Sequence, residues 1–373
     1  MLKKELKSLV RPSLFKISPY VPGRPKEEIC KEFNMPKEAV IKMASNENAL
    51  GAPGFVIKQL KACMEEIYLY PEGSGKELCG RLGRLWGLSP DNFILGNGCD
   101  EIISMVCETF LRPGEEVIIG KPTFSYYEIA SLIADAKCVF VPLKDSKYDL
   151  PGILKKITPK TKLVFICNPN NPTGTIVRRE EVSKFLRLLP GHVITVFDEA
   201  YAEYVDDINF PNSVEYIRSK IKKHIIILRT FSKVYSLAGL RIGYGIANSE
   251  IIKHLNLVRK PFNVNRLAQC AALLSLEHKE WLDKSREMVF NGRKYLYMSL
   301  DKIGLRYIPT QANFLLIELN ADGEAVSDKL LAYGIIVRPA NSFGLPNFIR
   351  VTIGTEKHNK LFIKILKKIC RYG

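Results

Sequence analysis

The chain has 373 residues, of which 46% are hydrophobic and 25% charged, and its formal net charge at pH 7 is +16. These values are those of an ordinary soluble globular protein, and the length suggests two domains or one large α/β domain with an appendage. Lysine and arginine are spread along the whole chain without long blocks of like charge, which favours a solvated basic surface over a dedicated nucleic-acid groove.

The cysteine pattern argues against a structural metal or a disulfide framework. Nine cysteines occur at irregular spacing, with an odd total and no Cys-x-x-Cys pair. Residues 1–10 lack an apolar stretch long enough for a signal peptide, and no apolar run approaches the ~18 residues that a membrane helix needs. We therefore expect a cytoplasmic protein that binds neither a metal nor a membrane.

The N-terminal segment is rich in turn-forming residues. Four prolines within residues 1–35 forbid a long helix and predict an extended arm that contains Tyr20. A short strand over residues 41–44 then leads into a loop in which Asn46 is a turn former first and a ligand second. A helix over residues 55–67 follows, and Tyr70 begins a Pro/Gly loop.

The next stretch contains a phosphate-binding pattern of modest specificity. After a helix over Lys76–Trp86, a strand leads into Gly96-x-Gly98 and then a helix whose first turn carries Asp100 and Glu101. Backbone NH groups at such a helix N-terminus attract phosphate. The third glycine of a dinucleotide fingerprint is missing, so a nicotinamide site is not favoured.

From residue 116 onward strand and helix patterns alternate, which indicates a mostly parallel central sheet with helices on both faces. The predicted strands cover residues 116–119, 138–142, 163–167, 193–197 and 224–228. Ligands on such sheets bind beyond the carboxyl ends of the strands. Polar or aromatic residues follow these ends: Phe124, residues 168–174, Asp198, Tyr201 and Lys233.

After Pro261 the pattern changes to that of a smaller α+β domain. A long helical region over residues 267–304 precedes strands at 313–318, 335–338 and 348–353 and a C-terminal helix. We predict an N-terminal arm and part of the small domain over 1–40, a large cofactor-binding domain over 41–265, and a small C-terminal domain over 266–373.

Lys233 is the central candidate residue. A buried apolar strand ends in Thr230 and Ser232, then Lys233, then a Gly-rich turn that carries Arg241. An amine condenses with an aldehyde only when its pKa is lowered, so this stretch has the ingredients for a Schiff base beside a phosphate pocket. The local pattern fits a surface lysine after a core strand equally well.

Four further residues are candidates for the same site, and two of them, Asp198 and Asn171, have a second interpretation. Asp198 follows a fully apolar strand, where its carboxylate either caps a turn or pairs with a pyridinium nitrogen. Asn171 either caps a turn or donates to a phenolate oxygen, and Tyr201 could do the latter as well. Arg241 could hold a phosphate through charge-assisted hydrogen bonds.

Eleven segments occur in one order along nearly the whole chain, and together they resemble the fold-type I pyridoxal-phosphate-dependent aminotransferases, most of all the histidinol-phosphate aminotransferases. They are SNENALG (45–51), YPEGSG (70–75), GNGCDE (96–101), KPTFSYY (121–127), CNPNNPTG (167–174), VFDEAYAEY (196–204), RTFSKVYSLAGLRIGY (229–244), PFNVNRLAQ (261–269), QANFLL (311–316), GIIVRP (334–339) and GLPNFIRVTIGT (344–355).

The resemblance implies a role for each matching residue. Lys233 would form the Schiff base with pyridoxal 5'-phosphate and move the substrate proton. Asp198 would pair with the pyridine nitrogen, and Asn171 and Tyr201 with the ring oxygen. The residues implied to hold the cofactor phosphate are Thr230, Ser232, Arg241 and the amides near Cys99 and Asp100, with Phe124 stacked on the ring.

The resemblance also implies a substrate and a partner. Arg338 and Arg350 match the family's substrate-anion arginines, with Tyr20 and Asn46 as lesser candidates, and Tyr70 would reach the phosphate in the neighbouring subunit of a homodimer. The implied reaction is ping-pong transamination between histidinol phosphate plus 2-oxoglutarate and imidazole acetol phosphate plus glutamate, in histidine biosynthesis.

Three positions depart from the family pattern: Ala49 replaces a proline, Cys99 a serine and Ser236 a glycine. None removes a group that the chemistry needs, but they leave room for altered substrate preference. The alternatives are a threonine-phosphate decarboxylase-like lyase and an aromatic amino-acid aminotransferase. A basic nucleic-acid-binding protein rests on net charge alone.

Overall fold

A computed structural model of the chain describes residues 2–19, 22–219 and 223–371. Within these ranges the chain forms fourteen α-helices and thirteen strands. The N-terminal elements are α1 (Leu2–Leu9), α2 (Lys26–Glu32), β1 (Ile41–Lys42), α3 (Gly54–Cys63) and α4 (Lys76–Trp86).

The prediction of an extended N-terminal arm is wrong for the residues that form α1 and α2. The prolines of this segment do not interrupt these helices, because they lie between them or at their starts. Pro25, for example, is the residue immediately before α2. A proline there costs little, since the first amides of a helix have no partner within the helix.

The central part of the chain alternates strands and helices as predicted. Its elements are β2 (Phe93–Gly96), α5 (Cys99–Phe110), β3 (Glu116–Lys121), α6 (Tyr126–Ile133), β4 (Lys137–Pro142), α7 (Leu150–Lys156), β5 (Thr161–Cys167), α8 (Arg179–Leu188), β6 (Ile194–Asp198), α9 (Val214–Arg218), β7 (His224–Thr230), β8 (Gly243–Ala247) and α10 (Ser249–Val258).

The seven strands of this part form one sheet in the order β2-β8-β7-β6-β5-β3-β4. The pairs among β3, β4, β5, β6 and β7 are parallel, whereas β8 runs antiparallel to both β2 and β7. The predicted fold class, an α/β protein with a mostly parallel sheet, is confirmed. The inner strands are buried on both faces, which explains their nearly continuous apolar runs.

The helices cover the sheet through apolar stripes of helical period. In α8 the buried residues are Val182, Phe185 and Leu186, spaced three and four apart, while the opposite side of the helix is charged. Among the described residues, no helix combines the length and the apolar character that crossing a membrane would require.

The C-terminal part contains α11 (Arg266–Glu277), α12 (Lys279–Ile303), β9 (Tyr307–Ile308), β10 (Phe314–Glu318), α13 (Gly323–Leu331), β11 (Ile335–Ile336), β12 (Arg338–Pro339), β13 (Phe348–Thr352) and α14 (Glu356–Arg371). The long helical region is therefore two helices that meet at His278. Strands β12, β13, β10 and β9 form an antiparallel sheet, and β11 pairs in parallel with β1 from the N-terminal segment. The domain boundaries stay predictions.

The strand register brings three loop starts to one edge of the large sheet. Cys167 at the end of β5 lies opposite Asp198 at the end of β6, and Asp198 lies opposite Leu228 in β7. Just past these ends, Arg229 forms buried ion pairs with Glu199 at 2.6 Å and Glu203 at 3.1 Å. The network ties β7 to the segment after β6, directly beside the candidate site.

Candidate active site

A cavity of about 260 Å³ lies at the carboxyl edge of the parallel strands. Its wall brings together twelve of the residues predicted from sequence: Asn46, Cys99, Asp100, Phe124, Asn171, Asp198, Tyr201, Thr230, Ser232, Lys233, Arg241 and Arg350. Parallel strands place their carboxyl ends on one side of a sheet, so loops that are far apart in sequence meet there.

Lys233 lies on the cavity wall just after β7. Its Nζ donates a hydrogen bond to the carbonyl oxygen of Ser45 at 3.2 Å and lies 5.6 Å from the centre of the Tyr201 ring. Loss of hydration, followed by repulsion from Arg350, lowers the pKa of Lys233 to about 8. A neutral amine is therefore accessible near physiological pH, as an amine that attacks an aldehyde requires.

Asp198 is the last residue of β6; it lines the cavity and is 4% exposed. Its Oδ2 accepts a hydrogen bond from the Tyr127 hydroxyl at 2.7 Å, and its Oδ1 accepts one from the Ala200 amide at 3.1 Å. Burial raises the pKa of Asp198, whereas these two donors lower it. The arrangement suits a carboxylate that faces a protonated ring nitrogen.

Tyr127 is a residue that the sequence reasoning missed. It is fully buried in α6, stacks on Phe165 at 4.8 Å between ring centres and meets Phe124 edge to face at 5.5 Å. The helical spacing of Tyr127, Ala130 and Ser131 was the sequence signal that could have found it, and all three residues are buried in the structure. That period indicates an inward-facing side chain but not that its hydroxyl meets Asp198.

Another group of cavity-lining residues suits an anion. The Arg241 guanidinium donates to Asp100 Oδ2 at 3.1 Å and to Ser232 Oγ at 3.4 Å. The N-terminus of α5 begins beside it at Cys99, after Gly98, whose φ of +82° favours glycine. A Cβ at Gly98 would collide with the Arg241 guanidinium, so this glycine allows the helix amides and the arginine to approach each other.

Together these groups fit the phosphate of pyridoxal 5'-phosphate. Hydroxyls at Thr230 and Ser232, the guanidinium of Arg241 and the first amides of α5 line one end of the cavity. Each is a hydrogen-bond donor, and the helix N-terminus and the guanidinium add positive charge. The donor set therefore matches a phosphate, while Lys233 and Asp198 match the aldehyde and ring nitrogen.

Arg350 on β13 lines the cavity and forms hydrogen bonds with two neighbouring segments. It donates to Asn171 Oδ1 at 2.5 Å and to the Ala44 carbonyl oxygen at 2.7 Å. Because the first bond uses the amide oxygen of Asn171, the amide nitrogen is the group that Asn171 can offer to a ligand oxygen.

Asn46 orients Tyr201 in a similar way. Asn46 Nδ2 donates to the Tyr201 hydroxyl at 3.0 Å, so the phenol hydrogen can be donated to a ligand. Asn46 adopts a positive φ of 56°, and its backbone amide donates to the Thr352 hydroxyl at 2.9 Å. Asn46, predicted first as a turn-forming residue, thus also positions the Tyr201 hydroxyl.

Two candidate residues, Arg338 and Tyr70, lie outside the cavity wall. Arg338 does not line the cavity but lies directly opposite Arg350 in the β12–β13 pair. Tyr70 is 78% exposed, stacks on Phe262 and is also outside the cavity wall. Tyr20 lies outside the described residues. Glu47, which sequence reasoning passed over inside SNENALG, does line the cavity and pairs with Lys42 at 2.8 Å.

Comparisons with known proteins agree with this geometry. A family model described as aminotransferase class I and II matches residues 38–366. The histidinol-phosphate aminotransferase of Moorella thermoacetica is 45% identical, covering 96% of this chain and 92% of that protein. The one of Caldicellulosiruptor saccharolyticus is 41% identical, covering 95% and 98%.

A solved structure is similar over the same extent. The crystal structure of histidinol-phosphate aminotransferase from Sinorhizobium meliloti in complex with pyridoxal-5'-phosphate has a TM-score of 0.88 and 25% sequence identity to this chain. The match covers 97% of this chain and 98% of that one.

The lowered pKa of Lys233 predicts how cofactor uptake depends on pH. Only the neutral amine reacts, so the rate at which cofactor-free protein takes up pyridoxal 5'-phosphate should rise about tenfold per pH unit below the pKa. It should level off above pH about 8, the pKa of Lys233. Stopped-flow absorbance measures the rate, and Lys233→Met should show no such phase. A midpoint near the ordinary lysine value of ~10.4 would contradict the lowered pKa.

The Tyr127 contact predicts a loss of cofactor affinity in Tyr127→Phe. Removing the donor raises the pKa of Asp198 further, and a protonated carboxyl no longer stabilises a protonated ring nitrogen. We expect the dissociation constant for pyridoxal 5'-phosphate to rise roughly tenfold to a hundredfold, measured by titration of cofactor-free protein.

The matched control for this experiment is the adjacent tyrosine. The hydroxyl of Tyr126 bonds Ser104 at 2.9 Å and does not contact Asp198. Tyr126→Phe should leave the dissociation constant within about twofold of the wild type. Equal losses in the two variants would show that the effect comes from packing rather than from the bond to Asp198.

Proposed function

The chain belongs to the class I and II aminotransferases, and on that basis we propose that it transfers an amino group between histidinol phosphate and 2-oxoglutarate, with pyridoxal 5'-phosphate as cofactor. The observation that carries the proposal is the meeting of Lys233, Asp198 and Arg350 on the wall of one cavity. They supply, respectively, an amine, a carboxylate and a cation for an anionic substrate.

Bound pyridoxal 5'-phosphate supplies an electron sink for charge that develops at the substrate Cα. Lys233 supplies the amine that holds the cofactor and the base that moves the proton at Cα, since its pKa of about 8 suits both tasks. Asp198, held by Tyr127 and the Ala200 amide, would keep the ring nitrogen protonated. Asn171 and Tyr201 would donate hydrogen bonds to the ring oxygen.

We propose that two arginines select the substrate, Arg350 on the cavity wall and Arg338 outside it. Arg338 and Arg350 lie opposite each other on β12 and β13, so two cations stand at neighbouring strand positions. Paired guanidinium groups suit a substrate phosphate in one half-reaction and the carboxylates of glutamate in the other. The full-length relatives named above support histidinol phosphate, and hence a step of histidine biosynthesis, over a lyase or an aromatic aminotransferase.

We also propose a homodimer with shared sites. Tyr70 lies in an exposed apolar patch whose large side chains are at least 45% exposed: Ile67, Tyr68, Leu69, Tyr70 and Phe262. Continuous exposed apolar surface of this kind marks a protein interface. An interface here would place Tyr70 against a second subunit, where its hydroxyl would reach the phosphate of the partner's cofactor.

We place this enzyme in the cytoplasm. All nine cysteines are free thiols in the structure, although Cys63 and Cys270 approach each other closely. Reduced thiols are what a reducing compartment maintains.

The proposed reaction can be tested with purified enzyme. Wild type should convert histidinol phosphate only when 2-oxoglutarate is present, and should form glutamate. Lys233→Ala should lose activity by at least about a thousandfold, because it removes both the amine and the base. A coupled glutamate assay measures the rate. Release of carbon dioxide without 2-oxoglutarate would establish a lyase instead, and a higher kcat/KM for phenylalanine would establish an aromatic aminotransferase.

Shared sites can be tested by mixing two inactive variants. Lys233→Ala and Tyr70→Phe dimers, unfolded and refolded together, should recover up to about a quarter of the wild-type activity. Half of the mixed population is heterodimer, and each heterodimer has one site with both native residues. Mass spectrometry should confirm that heterodimers have formed. If they have formed and the activity does not exceed the sum of the separately refolded variants, Tyr70 does not act in the site of the neighbouring subunit.

A further inference from the structure

Two cysteines meet on the surface at a distance from the candidate active site. Cys63 is the last residue of α3 and Cys270 lies in α11, and their Sγ atoms are 2.8 Å apart. A disulfide bond has an S–S length of about 2.05 Å, so closing the bond moves the sulfur atoms by less than ~1 Å. Both residues line a surface cavity and are partly exposed, so small thiol reagents can reach them.

We propose that Cys63 and Cys270 are a site of reversible oxidation by low-molecular-weight disulfides. Sequence spacing does not indicate this pair, because 207 positions separate the two cysteines. The proposal does not depend on the aminotransferase activity, because neither cysteine lines the active-site cavity.

The exchange proceeds in two balanced steps. The Cys63 thiolate attacks an external disulfide RSSR, which forms a Cys63–SR bond, breaks the RS–SR bond and releases one RS⁻. Cys270 then loses its proton to solvent and attacks Sγ of Cys63, which releases the second RS⁻. In total the two protein thiols lose two electrons and two protons, and one RSSR is reduced to two RSH.

The first attack is assigned to Cys63 for an electrostatic reason. Burial, and then the neighbouring sulfur, raises the pKa of Cys270, so a smaller fraction of Cys270 is ionised at neutral pH than of an ordinary thiol. Cys63 stands at the C-terminal end of α3, and once it carries the RS group, Cys270 is the adjacent thiol that resolves the mixed disulfide.

The bond would strengthen an existing clamp on the segment between α3 and α4. Arg266 at the start of α11 pairs with Glu66 at 2.6 Å and donates to the Tyr70 carbonyl oxygen at 3.2 Å. Gln269, next to Cys270, donates to the Glu72 carbonyl oxygen at 3.0 Å. Three polar contacts thus hold the Tyr70 segment to α11, and the cysteine pair lies beside them.

Oxidation therefore adds a covalent bond between α3 and α11 beside contacts that are otherwise polar. A bond across so long a chain separation restricts the unfolded state strongly and so stabilises the fold. It would also fix the segment that carries Tyr70, the residue that the proposed dimer presents to its partner; this last consequence alone rests on the proposed function.

The test uses full-length, cofactor-loaded protein incubated with oxidised glutathione. Titration of the denatured protein with a thiol reagent should fall from nine free thiols to seven, a loss of two. Peptide mapping without reduction should find the peptides of Cys63 and Cys270 joined to each other, with dithiothreitol restoring all thiols. The thermal midpoint should rise by several degrees on oxidation and return on reduction.

Matched variants identify the pair. Cys63→Ser and Cys270→Ser should lose the cross-link and the thermal shift, and Cys270→Ser should retain a glutathione adduct on Cys63. Cys370→Ser, which removes an exposed cysteine on α14, should oxidise as the wild type does.

Three outcomes would overturn the proposal. They are an unchanged thiol count, stable glutathione adducts on both cysteines of the wild type, and a cross-link that joins either one to another cysteine or another chain. Because thiol counting requires no turnover, each of these results would leave the aminotransferase function standing.

Discussion

The register of three parallel strands is the constraint on which the site depends. Cys167, Asp198 and Leu228 stand side by side where β5, β6 and β7 end or are about to end, so the loops that follow begin at the same sheet edge. Asn171 and Lys233 enter the cavity from two of these loops. A slip by one residue would turn Asp198 to the other face of the sheet and separate it from both.

Electrostatics then gives each polar group its state. The same cavity lowers the pKa of Lys233 and raises that of Asp198, since burial disfavours both charges, and repulsion from Arg350 lowers the lysine further. Tyr127 opposes the effect of burial on Asp198 through a single hydrogen bond. Burial thus favours the neutral amine of Lys233, while the hydrogen bonds from Tyr127 and the Ala200 amide favour the ionised form of Asp198.

The smaller C-terminal sheet completes the site. Arg350 on β13 bonds Asn171 from the loop after β5, and Asn46 links the Thr352 hydroxyl to Tyr201. A substrate anion that binds Arg350 would therefore act on a residue that already holds Asn171 in place. In the proposed function, substrate recognition and cofactor placement would share this hydrogen-bond network, so changes at Arg350 should affect both.

The amino-acid sequence determined the central strands, because buried parallel strands require apolar β-branched runs, and its ordered motifs identified the family and most of the cavity-lining residues. It misjudged the proline-rich N-terminus, where α2 begins immediately after Pro25. Only the tertiary structure decided that Tyr127 supports Asp198 and that Cys63 meets Cys270. The reason is physical: periodicity and motifs report which side of an element is buried, whereas a contact between side chains far apart in sequence exists only after the elements have packed.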